Sequence, residues 1–176
     1  MRLATELTNN IIESIVDGDG VRLVLFTQGC VHRCKGCHNK STWDLNGGYE
    51  YNINDIVNEL ILRYRKAKSF YSGITVSGGD PLCQQEDLHE MIKAVKKEEP
   101  NINIWLYTGY DTDDVYNNYS DIISLIDVVV TGKYIESEKT LSKKFVGSLN
   151  QEIIRLKWKM RLIVAFFYLT YWINKI

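Results

Sequence analysis

Between residues 21 and 131 the chain alternates short β-branched or aromatic runs with stretches of helical period, and few folds accommodate that alternation. Val21–Thr27 (VRLVLFT), bounded by Gly20 and Gly29, reads as a largely buried strand. Ile53, Ile56, Val57, Leu60, Ile61 and Tyr64 then recur at the three-and-four spacing of an amphipathic helix. Residues 73–77 (GITVS) give a second strand, and Leu88, Met91, Ile92 and Val95 a second helix that must stop before Pro100. Residues 103–108 and 127–131 supply two further strands around a short acidic-started helix at 112–119. Strands separated by helices of this length pair in parallel through right-handed crossovers. The expected fold class is therefore α/β, with helices on the outer face of the sheet.

Ligands of such sheets lie beyond the carboxyl ends of the strands. Two unusual segments fall at that edge. Residues 30–37 read Cys-Val-His-Arg-Cys-Lys-Gly-Cys, so three of the chain's four cysteines stand within eight residues, with gaps of three and two. A single loop of this spacing can direct Cys30, Cys34 and Cys37 at three corners of a small cube and leave one iron without a protein ligand. A fully ligated cluster only passes electrons, whereas an open iron can chelate a substrate's amino and carboxylate groups. The alternative is a zinc site, with His32, His38 or Cys83 completing the ligands, although zinc motifs favour paired cysteines. The second segment, Gly78-Gly79-Asp80-Pro81, follows the second strand. Two glycines there let the backbone bend sharply and come close to a ligand, leaving carbonyls free to accept from an ammonium group.

Composition excludes other readings. With 176 residues and 45% hydrophobic content the chain can enclose one sizeable core, and a net charge of -1 does not suit a nucleic-acid partner. The N-terminal residues show no export signal, so the expected location is cytoplasmic, where clustered cysteines serve as metal ligands or reactive thiols. The longest apolar run, 162–173, is shorter than the roughly 20 residues a membrane span requires.

The spacing Cys-x3-Cys-x2-Cys resembles the signature of the radical S-adenosylmethionine (SAM) superfamily. The runs FTQGCVHRCKGCHNKSTWD, SGGDPL and VGSLNQEII together resemble the activating proteins of anaerobic ribonucleoside-triphosphate reductase, over roughly residues 10–154. The resemblance implies a partial, open β/α barrel of the radical SAM type over residues 1–154, followed by a hydrophobic extension at 155–176. It also implies a [4Fe-4S] cluster on Cys30, Cys34 and Cys37. SAM would have Gly36, Cys37 and His38 at its adenine end and Gly78, Gly79 and Asp80 at its methionine end. No acid-base side chain is implied, because the cofactor carries the chemistry. The reaction implied is reductive cleavage of SAM to a 5′-deoxyadenosyl radical that generates a glycyl radical on the large subunit of the reductase, with an electron donor such as flavodoxin. Alternatives left open are activation of another glycyl-radical enzyme of the pyruvate formate-lyase type, small-molecule radical SAM chemistry, and a zinc-binding interaction module.

Overall fold

The computed structural model describes residues 1–156. In chain order the elements are β1 (Arg2–Leu3), α1 (Leu7–Asn10), β2 (Ile12–Ser14), β3 (Val21–Thr27), β4 (Tyr49–Glu50), α2 (Ile53–Lys66) and β5 (Tyr71–Gly78). They continue as α3 (Gln85–Glu98), β6 (Ile104–Tyr107), α4 (Thr112–Asn118), α5 (Ser120–Leu125), β7 (Val128–Thr131) and β8 (Glu152–Arg155). The four expected strands are β3, β5, β6 and β7, and they form the parallel centre of the sheet. The short strands β1, β2, β4 and β8 are antiparallel additions. Strand order is β4-β1-β3-β5-β6-β7-β8, with β2 beside β3, and among the described residues the two ends of this sheet do not pair. The sheet is mixed, mostly parallel at its centre, and open.

Side chains on successive strand residues point to opposite faces, which separates two environments. Leu23, Leu25, Ile74, Val76, Ile104, Leu106 and Val129 face the helices, where Ile56, Leu60, Leu88, Met91, Ile92 and Val95 meet them in one core. Each such side chain, fully buried, contributes roughly 1.5–3 kcal/mol relative to exposure. α3 also suits its dipole, with Glu86 and Asp87 in its first turn and Lys96 and Lys97 in its last.

The opposite face carries Arg22, Thr75, Trp105, Val128 and Val130. Arg22 is 1% exposed. Its guanidinium donates to Thr75 Oγ1 (2.7 Å), the Ile74 carbonyl (2.5 Å) and the Asn103 carbonyl (3.1 Å), and lies 5.3 Å over the Trp105 ring. Burial lowers its pKa to about 10, so it remains a cation at neutral pH. This group fills the face near the amino ends of β3 and β6, leaving space at the carboxyl ends.

β8 crosses the expected boundary at residue 154. Arg155 pairs with Val128, and the Leu156 amide donates to the Asp127 carbonyl at 2.9 Å. The rest of the expected extension, including the apolar run 162–173, lies outside the described residues. Among the described residues no helix is long and apolar enough to cross a membrane.

Candidate iron-sulfur and cofactor site

The cysteine loop leaves the end of β3 and is fastened at its base. The Gly29 amide donates to the Thr42 carbonyl (2.8 Å) and the Cys30 amide to the Trp43 carbonyl (3.4 Å), so the Ser-Thr-Trp segment at 41–43 forms the floor of the loop. Inside the loop the Cys37 amide donates to the Cys34 carbonyl at 3.2 Å. The winding needs positive φ at Arg33 (48°) and Gly36 (76°), and only the second of these is at a glycine.

Cys30, Cys34 and Cys37 are each half-buried. Burial pushes the Cys30 thiol above its usual pKa, while the main-chain N–H groups of His32 and Arg33 bond to its sulfur and oppose that rise. The Asn39 amide likewise donates to Cys37 Sγ at 3.3 Å. Amides directed at sulfur stabilise thiolates and tune iron-sulfur centres, so this donor set fits a cluster held by the loop.

Cys83 does not stand apart in space. Its sulfur takes the Val31 N–H and lies within electrostatic reach of Cys30, and burial first, then Asp80, push its thiol up to about 11. His32 is engaged elsewhere, with Nε2 2.6 Å from Asp80 Oδ2. Among the described residues no three His, Cys, Asp or Glu side chains gather tightly enough to hold a single ion.

The second segment lies against the first. Gly78 extends β5 with φ of 115°, and a β-carbon there would stand 2.4 Å from both backbone atoms N and O of Thr27. The Asp80 amide donates to the Gly29 carbonyl at 2.7 Å, which ties the glycine turn to the root of the cysteine loop. The Asp80 carboxylate is enclosed, 1% exposed, and accepts from Leu82 N, Thr108 Oγ1, Gly109 N and His32 Nε2. Thr108 and Gly109 follow β6 at the same sheet edge. They were not singled out in the sequence, although a Thr-Gly-Tyr step directly after a strand is the signal that could have found them.

Between these segments and the loop at residues 139–147 opens a cleft of about 840 Å³, lined by Cys37, His38, Phe26, Ser77, Gly78, Tyr107 and Tyr134, with Lys143, Phe145 and Gly147 opposite. This is within the roughly 300–1,000 Å³ of small-molecule sites. Of the residues expected around the cofactor, Cys37, His38 and Gly78 line the cleft. Gly36 is packed beside the Glu136 side chain, Gly79 lies against the Gly29 carbonyl, and Asp80 holds the turn through its carboxylate. The Gly-Ser-x-Asn-Gln stretch closes the far wall as a self-bonded turn. Gln151 Oε1 accepts from Gly147 N (2.7 Å) and Ser148 N (3.2 Å), its Nε2 donates to the Gly132 carbonyl (3.0 Å), and Ser148 Oγ donates to Asn150 Oδ1 (2.7 Å).

The model of the 4Fe-4S single cluster domain matches residues 16–154, which includes the cysteine loop, the glycine turn and the Gln151 turn. An anaerobic ribonucleoside-triphosphate reductase-activating protein of Escherichia coli K12 is 38% identical over 152 residues, covering 81% of this chain and 94% of the relative. Proteins of the same description from Vibrio cholerae (36% over 143 residues; 80% and 92% covered) and from bacteriophage T4 (37% over 140 residues; 78% and 86% covered) are similar in the same way. The chain belongs to this family. As a member it carries a 4Fe-4S domain.

Proposed function

We propose that the protein is the radical SAM activase of an anaerobic ribonucleoside-triphosphate reductase, and that it generates the glycyl radical on the reductase's large subunit. The observation that carries this reading is the meeting, at one sheet edge, of a three-cysteine loop and a glycine turn beside a cleft lined by both Cys37 and Gly78. When bound, the [4Fe-4S] cluster and SAM supply one-electron cleavage of the sulfonium to methionine and a 5′-deoxyadenosyl radical, which takes a hydrogen atom from a glycine Cα of the reductase.

The residues of this chain bind and orient. Cys30, Cys34 and Cys37 hold three corners of the cluster, and the amides of His32, Arg33 and Asn39 steady the sulfur charge. Gly78 and Gly79 offer backbone to the methionine end, with Asp80 fixing the turn from beneath. Cys37 and His38 stand at the adenine end, where the His38 ring lies 6.0 Å from that of Tyr134, and Gly36 lets the loop turn there. The 139–147 loop supplies the opposite wall of the cleft. In this reading residues 1–154 are the radical SAM unit, built as a partial barrel open at its side, residues 155–176 are an extension, the location is the cytoplasm, and an electron donor such as flavodoxin supplies the electron.

The test is to incubate anaerobically reconstituted protein with a chemical reductant, SAM and the reductase of the same organism, and to record the electron paramagnetic resonance (EPR) spectrum. A glycyl radical on the reductase, with one 5′-deoxyadenosine released per radical, is the expected result. A radical formed instead on pyruvate formate-lyase under the same conditions would move the assignment to that partner, and a colourless protein holding one zinc would overturn it.

A further inference from the structure

The contact between His32 and Asp80 joins two segments 48 residues apart, and neither partner is available to solvent: their side chains are 5% and 1% exposed. Asp80 Oδ2 takes His32 Nε2 at 2.6 Å and Gly109 N at 2.8 Å, while the Thr108 hydroxyl lies 3.0 and 2.9 Å from its two oxygens. One carboxylate thus collects the chain beyond the ends of β3, β5 and β6. The imidazole also has close neighbours on the Gly109–Tyr110 side, where it borders an open cavity of about 880 Å³. A β-carbon on Gly109 would stand 2.4 Å from His32 Cδ2, and the Tyr110 ring meets the imidazole edge-on at 4.7 Å.

Around His32 the cysteine loop has little else to hold it in place. Arg33 is exposed and has positive φ, and Lys35, 93% exposed, reaches Glu136 only at 3.8 Å. The base of the loop is held by backbone bonds of Gly29 and Cys30, but the arc from Cys30 to Cys34 is drawn onto the sheet edge by the His32 side chain and by the Val31 amide on Cys83.

We propose that His32 is a positioning residue that acts through Asp80. It holds the cluster loop and the methionine-binding turn in one fixed register, so that the open iron and the Gly78–Gly79 backbone address the same SAM molecule. This rests on the cluster and SAM reading above. The chemistry needs two ligating elements, one on each segment, at a set separation. Misplacement of about 1 Å is enough to cost a positioned site about a hundredfold. A clasp of buried side chains whose donors and acceptors all match gives such rigidity, because each alternative arrangement strands a buried polar group.

The experiment compares His32→Ala, His32→Gln and Gly109→Ala with the parent after anaerobic reconstitution. Iron content, SAM dissociation constant, cluster midpoint potential and the EPR spectrum of the reduced cluster are read with and without SAM. Gln can carry an amide N–H close to the place of His Nε2–H. Gly109→Ala keeps every polar group but pushes the imidazole from Asp80, so it carries the test if His32→Ala does not fold. The expected result is that His32→Ala and Gly109→Ala retain about four irons per chain. Their SAM affinity falls about tenfold, and the SAM-induced changes in spectrum and potential shrink, while His32→Gln restores most of both. Parental SAM affinity together with a parental SAM-induced spectrum in His32→Ala, or in Gly109→Ala where only that variant folds, would overturn the proposal. Failure of the unmutated protein to take up a four-iron cluster would instead remove the reading on which it rests, and the control separates the two results.

Discussion

Gly79 sits directly against Gly29: a β-carbon on Gly79 would stand 2.2 Å from the Gly29 carbonyl oxygen and 3.0 Å from that of Thr42. Both obstacles are backbone atoms, and both belong to the base of the cysteine loop. The glycine therefore serves the base of the cysteine loop as much as its own turn.

Gly79→Ala is accordingly expected to damage both sites together. The methyl group cannot be relieved by a rotamer change, and overpacking of this kind costs about 1–3 kcal/mol, which lowers the melting temperature by roughly 3–9 °C in a chain of this size. Iron retained after reconstitution should fall in parallel with SAM affinity. Thermal unfolding of the apoprotein, with iron analysis of the reconstituted protein, checks this. A variant with parental melting temperature and iron content but weakened SAM binding would show that Gly79 acts on the cofactor alone.

The four cysteines should divide three to one. Cys30→Ala, Cys34→Ala and Cys37→Ala are each expected to abolish the brown colour and the bound iron, because each removes a corner of the cluster, whereas Cys83→Ala should keep about four irons. Alkylation gives an independent reading. The pKa of Cys83 is raised from 9.0 to about 11, so at pH 8 its thiolate fraction is about a hundredfold below that of an unperturbed thiol. Its labelling in apoprotein should be correspondingly slow and should rise about tenfold per pH unit between 8 and 10. Mass spectrometry of each cysteine peptide against time measures this, and fast labelling at pH 8 would contradict the buried, protonated assignment.

Gln151→Ala tests the far wall of the cleft. The side chain accepts from two amides and donates to the Gly132 carbonyl, and its loss frees the turn at Gly147 and Ser148. At about 1 kcal/mol for disordering this wall, SAM affinity should drop about fivefold while iron content stays unchanged. Calorimetric titration of the reconstituted variant with SAM provides the check. Loss of the cluster in this variant would mean that the 139–147 loop supports the cysteines and not only the cleft.

Much of this arrangement was legible in the sequence. Val21–Thr27 is β3 to the residue, because a short run rich in β-branched and aromatic residues between two glycines has few other outcomes. The helix periodicity beginning at Ile53 marked α2 for the same kind of reason. β1, β2 and β4 were not visible, since two or three residues carry no period and their pairing depends on partners far along the chain. α5 was hidden in the same way, being only six residues long and following directly on α4. At the site, the three cysteines announced themselves by spacing, and the glycine turn by its place after a strand. Asp80 was expected at the methionine end of the cofactor; its carboxylate is enclosed by donors from three segments, and one of these is His32, a residue the spacing alone offers to zinc. Contacts between loops depend on which strands become neighbours, and local patterns do not encode that.

The convergence on Asp80 also sets an order of assembly. Until β6 has paired beside β5 there is no Thr108 hydroxyl or Gly109 amide to receive that carboxylate, and the cysteine loop lacks its purchase on the sheet edge. A zinc finger can gather its ligands around the metal before anything else has folded. Here the clasp at Asp80 exists only where three parallel strands and their crossovers bring their ends together, so the shape of the cysteine loop is a property of the tertiary fold and not of the loop alone.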